Sequence, residues 1–104
     1  MVRFSKRLYI SPSLERKCRK VMWKLRTGRP QPCVYIIALA KNTDLLEIYH
    51  SGILKQNYYK KKANAPYIVG IAAGYSGAVD LVIDMIEDVY QENGTYNVKV
   101  LFNH

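Results

Sequence analysis

With 104 residues and a mass of 12.0 kDa, the chain has the length of one domain, taken as residues 1–104. Hydrophobic residues make up 49%, charged residues 23%, and there are only 6 Gly and 4 Pro, which excludes disordered, collagen-like and low-complexity chains. The formal charge is +8, enough to make charge distribution the first functional question.

Residues 1–10 alternate only in part and carry three basic side chains, so they read as an edge strand or a flexible arm. Ser11-Pro12 then supplies an N-cap followed by proline at the first helical position. Leu14, Cys18, Val21, Met22 and Leu25 recur at the spacing of one helical face, and Gly28, Pro30 and Pro32 stop the pattern. A helix over 12–27 follows. Residues 33–40 form a continuous apolar run suited to a central strand, with Cys33 as a small buried hydrophobe. Residues 41–44 are turn formers, and 45–50 read as the return strand of a hairpin. Residues 53–62 lack strand alternation and suggest a short helix or an ordered loop.

Residues 67–73 are a second buried-strand candidate. They lead through Gly74-Tyr75-Ser76-Gly77 into the clearest helix, 77–92, where Ala78, Val82, Met85, Ile86 and Val89 form the apolar face and Asp80, Asp84, Glu87, Asp88 and Gln91 take the others. Asn93-Gly94 ends it. Tyr96, Val98, Val100 and Phe102 alternate as a last strand would, completing a β-α-β crossover over 67–102. The expected class is α+β: a two-layer α/β sandwich with a mixed four- to five-stranded sheet and two main helices (12–27 and 77–92), the ferredoxin-like arrangement being one candidate topology.

Charge is separated along the chain. Residues 1–62 hold fifteen Lys and Arg against Glu15, Asp44 and Glu47, whereas residues 63–104 hold Lys99 against five carboxylates, so the halves carry +12 and −4. A basic half of this kind suits a polyanion such as RNA or DNA backbone, an anionic surface, or the acidic face of another copy. Arg16, Lys17, Arg19, Lys20 and Lys24 on the first helix would supply cations, with Trp23 outside the apolar stripe for stacking. Tyr59 with Lys60, Lys61 and Lys62 interleaves an aromatic ring with charge in the manner of single-strand binders. Solvated cations on an ordinary amphipathic helix and a basic loop without a ligand are the plainer explanation of both features. The consensus strands and loops of known RNA-binding modules are absent.

Gly74, Ser76 and Gly77 stand where a strand-to-helix turn can hold a phosphate, but the spacing matches neither the dinucleotide nor the P-loop pattern, and Asp80 adds a repelling carboxylate. A tight turn is the competing explanation. Two His and two Cys without paired spacing indicate no metal site, no cofactor is indicated, and no catalytic residue stands out. A small enzyme would need His50, a carboxylate and the 74–77 backbone in one place. The run 33–40 falls short of the roughly 20 apolar residues of a membrane span, and no apolar segment follows the basic N-terminus, so a reduced, cytoplasmic protein without a transmembrane segment is expected. The leading functional expectation is a non-enzymatic basic module contacting nucleic-acid or other polyanion backbone. The alternative is a self-associating protein, a homodimer joined through its sheet edge or through complementary charged faces.

Overall fold

The computed structural model describes residues 3–29, 31, 33–39, 46–56 and 66–102. Four strands, β1 (Arg3–Ile10), β2 (Val34–Leu39), β3 (Leu46–His50) and β4 (Tyr67–Ala73), form one mixed sheet in the order β1-β4-β2-β3. The apolar runs of β2 and β4 take the two inner positions, as expected of segments without a solvated face. β1 pairs parallel with β4, whereas β2 is antiparallel to both β3 and β4. The hairpin expectation is met by β2 and β3; its turn, residues 41–44, lies outside the described residues.

The first helical segment has two parts: a 3₁₀ turn, Pro12–Lys17, and the α-helix α1, Cys18–Thr27. Ser11 occupies the N-cap but makes no capping bond with its side chain. Its N–H donates to the Ile71 carbonyl (3.0 Å) and its Oγ accepts from the Ala73 N–H (3.2 Å), so Ser11 prolongs the β1–β4 seam. Gly28 ends α1 at φ 71°, a left-handed conformation that glycine adopts without a Cβ penalty. The long helix is α2, Gly74–Asn93, which starts three residues earlier than the sequence pattern predicts.

The main helices of this α+β sandwich lie on opposite faces of the sheet, so the sheet is the middle of three layers where the sequence pattern predicts two. Val21 and Leu25 of α1 pack with Val34, Ile36, Leu54, Ile68 and Ile71. Ala78, Leu81, Met85 and Val89 of α2 pack with Ile37, Val69 and Ala72 on the other face. Strand alternation produces this division: Ile36 and Ile37, adjacent in sequence, are both fully buried in different cores. A register shift between Ile37 and Ala38 lets Gly70 also face α2, where an added Cβ would come within 2.9 Å of both Ile37 Cδ1 and Met85 Cε. The absence of a side chain there lets α2 sit close to the sheet.

Residues 98–102 are a correction to the sequence reading. They form a short helix, α3 (Val98–Phe102), with Val98, Leu101 and Phe102 buried beside α2. The three buried positions follow i, i+3, i+4 spacing, which competes with the Tyr96/Val98/Val100/Phe102 alternation, and packing on α2 decides in favour of the helix. The 67–102 crossover is therefore removed, and residues 98–102 offer no sheet edge through which the expected homodimer could join. Strand order and the placement of helices on both faces also differ from the ferredoxin-like arrangement. β1 is an edge strand, irregular between Phe4 and Tyr9. Among the described residues, no helix is long and apolar enough to cross a membrane.

Candidate functional site

The separation of charge along the sequence becomes a separation across the sheet. Residues 12–29, on one face, carry seven Lys and Arg against Glu15, while α2, on the other, carries five carboxylates and no Lys or Arg. Each α1-side cation is held outward because Val21 and Leu25 point the opposite stripe into the core. Arg16, Lys17, Arg19 and Lys20 are exposed and Lys24 is half-buried. None of them makes an ion pair with a described carboxylate.

Trp23 lies among these cations with half of its surface exposed (50%), so it does not broaden the buried stripe. Its position is shaped by the end of the helix. The turn at Gly28 folds the chain back, the Arg29 N–H donates to the Lys24 carbonyl (2.9 Å), and the Arg29 guanidinium comes to lie 5.0 Å from the Trp23 ring centroid. Arg26, in the last turn of α1, lies 5.0 Å from the Phe4 ring, carrying the basic surface to the start of β1, where Arg3 and Lys6 are exposed. Arg26 and Arg29 enlarge the surface beyond the residues singled out from sequence. The signal for Arg29 was Gly28 itself, since a left-handed cap returns the next residue to its helix. Tyr59, Lys60, Lys61 and Lys62 lie outside the described residues.

Arg7 has a different role. Its guanidinium donates two hydrogen bonds to Glu92, at 3.0 and 2.6 Å, and lies 3.6 Å from Asp88, binding β1 to α2. The bonds to Glu92 raise the Arg7 pKa further above its ordinary value. Beside it the Tyr9 hydroxyl donates to Asp88. Burial, reinforced by that hydrogen bond, pushes the Tyr9 phenol up to about 12. This basic residue of the N-terminal half thus belongs to the acidic layer.

The glycine turn is accounted for by the backbone at Gly74. Gly74, at φ 79°, donates its N–H to the Cys33 carbonyl (2.8 Å), so that donor is already engaged and not offered to a phosphate. Ser76 is exposed, and Gly77 would accept a Cβ with only an ordinary 3.7 Å contact to Ala72. Cys33 is exposed, contrary to the expectation from its apolar run, because it precedes the strand and contributes its carbonyl to this junction. The Tyr35 ring stands 5.2 Å from His50 and 5.9 Å from Tyr75, so one ring links His50 to the start of α2. There His50 Nδ1 accepts from the Gly52 N–H (3.0 Å), capping a 3₁₀ turn at Ser51–Lys55. What the fold assembles at this junction is an aromatic cluster with a capped turn. Among the described residues, no group of three His, Cys, Asp or Glu side chains gathers as a metal ion would require.

The surface that the fold does gather is therefore the α1 face: an exposed indole under a guanidinium, surrounded by cations without carboxylate partners. No protein-family model matches the chain, and comparison with curated proteins and with solved structures finds no match.

Proposed function

We propose that this protein is a non-enzymatic binding module whose α1 face contacts the phosphate backbone of RNA or DNA without strong sequence preference. One observation supports the reading above the others: the Lys and Arg side chains of residues 12–29 surround an exposed Trp23, with the carboxylate-bearing helix on the far side of the sheet. Phosphates would be neutralised by Arg16, Lys17, Arg19, Lys20 and Lys24, joined by Arg26 and Arg29. Trp23 offers a ring on which an unpaired base can stack. The contacts on offer are cations and one aromatic ring, so affinity would be electrostatic and tolerant of sequence. The free thiols of Cys18 and Cys33 suit a reducing, cytoplasmic setting.

The test is equilibrium binding of a labelled oligonucleotide as a function of salt. Six neutralised duplex phosphates give a slope of log K against log salt of about −5. Reversing charge at Lys17, Lys20 and Lys24 together should abolish binding at moderate salt. Trp23→Ala should weaken single-strand binding by roughly 1–3 kcal/mol while leaving duplex binding nearly intact. A salt slope near zero would overturn the proposal.

A further inference from the structure

The α2 helix carries two apolar stripes. Ala78, Leu81, Met85 and Val89 form the buried one. Tyr75, Val79, Ile83, Ile86 and Tyr90 form the other, at successive intervals of 4, 4, 3 and 4. This second stripe faces outward, with Ile83 48% and Tyr90 50% exposed. An amphipathic surface helix needs one apolar stripe to reach its core, and a second one about a third of a turn round the helix is apolar surface beyond that need. Tyr96 extends it, stacked on Tyr90 at 4.8 Å between centroids with the rings 15° from parallel. Along the other flank runs a row of exposed carboxylates, Asp80, Asp84 and Glu87, which make no ion pair among the described residues. An occupant of this surface must bring a large apolar side chain with cations at helical spacing.

The α1 helix has those features. Trp23 is exposed midway between Arg19 and Arg26, seven residues apart, just as Ile83 lies between Asp80 and Glu87, also seven apart. At 1.5 Å per residue each span is about 10 Å, so the two charge pairs match in length. The two helices lie on opposite faces of their own sheet, so α1 of one chain cannot reach α2 of the same chain.

We infer that the outer face of α2 docks α1 of a second copy, with Trp23 entering the stripe at Ile83 and Ile86 while Arg19 and Arg26 meet the acidic row. The contact joins two different surfaces on opposite sides of the molecule, so it is heterologous. It leaves an open α1 at one end and an open α2 at the other, and grows instead of closing as a two-fold dimer. A polyanion on α1 would exclude a docked copy from that same helix. The docking itself rests on the second stripe of α2 and does not require the polyanion reading.

Two full-length variants test it by sedimentation at low salt. Trp23→Ala with Arg19→Glu and Arg26→Glu disables α1, and Ile83→Asp with Ile86→Asp disables the α2 stripe. The wild-type average mass should rise with concentration past that of two copies and return to the monomer at high salt. Each variant alone should be monomeric. Their equimolar mixture should form a one-to-one pair and stop, because only the intact α2 of the first and the intact α1 of the second remain to meet. Three results would overturn the inference: a wild type that stays monomeric, an α1 variant that still dimerises through α2, or a mixture that stays monomeric while both variants keep the wild-type melting curve. If the Ile pair fails to fold, Asp84→Lys with Glu87→Lys disables the same face from its exposed row. Loss of oligonucleotide binding changes none of these outcomes, so the two readings fail separately.

Discussion

The two helical layers divide the work of the molecule. α2 buries four side chains, three of which, Ala78, Met85 and Val89, are fully buried, and is fastened to β1 by the Arg7–Glu92 and Tyr9–Asp88 hydrogen bonds. α1 buries only Val21 and Leu25, and its charges have no carboxylate partners among the described residues. Where carboxylates and cations meet in this fold, they hold strands and helices together; where cations stand alone, they are available to another molecule. The net charge of +8 is thus a poor description of the surface, since one layer is strongly basic and the other acidic.

The sharpest way to break this comparison is to invert each layer. Charge reversal of Lys17, Lys20 and Lys24 should abolish oligonucleotide binding, whereas Asp80→Lys with Asp84→Lys should leave it intact or strengthen it. Equal losses from both, measured by anisotropy at one salt concentration, would show that net charge matters and the face does not. Next in size is the contrast between the two stripes of α2. Met85→Ala should cost about 2–5 kcal/mol in denaturant unfolding, because a fully buried side chain leaves a cavity. Ile86→Ala, one residue along but exposed, should stay within about 0.5 kcal/mol.

These contrasts also mark what could be read before the fold was known. The uncharged runs of β2 and β4 announced inner strands, and Gly28 announced the end of α1. The alternation at Tyr96, Val98, Val100 and Phe102 misled because Val98, Leu101 and Phe102 satisfy helical spacing equally well, and only the neighbouring α2 surface distinguishes the two. Ile86 was assigned to the buried face for a related reason: α2 carries two apolar stripes, and periodicity alone does not say which one meets the sheet. The basic surface was legible as composition, but not as geometry. Its reach to Arg29 depends on a left-handed cap, and the diversion of Arg7 depends on Glu92, 85 residues away in the chain.

Smaller effects sharpen the account. Gly28→Ala forces a Cβ into a backbone at φ 71° and should lower stability by roughly 1 kcal/mol, since αL is disfavoured for L-residues by about that much. The variant should also shift Trp23 fluorescence, as Arg29 loses its place over the ring. The Tyr9 phenol is raised from 10.0 to about 12, so folding favours its neutral form. Its contribution is present in full below pH 10 and fades as pH rises through about 12. Difference spectra should show Tyr9 ionising late, a step that Tyr9→Phe should remove. If Tyr9→Phe leaves the alkaline titration unchanged, the Tyr9–Asp88 contact does not operate as described.

The most direct test of a divided molecule is an amide and indole chemical-shift titration of the isotopically labelled protein with a short oligonucleotide. At a protein concentration low enough to keep the chain monomeric, salt-reversible shifts should concentrate in residues 12–29, with the Trp23 indole among the largest, and none should fall along the outer face of α2. Shifts centred on Tyr75, Ile83 and Tyr90, or no shifts at all at low salt, would contradict it.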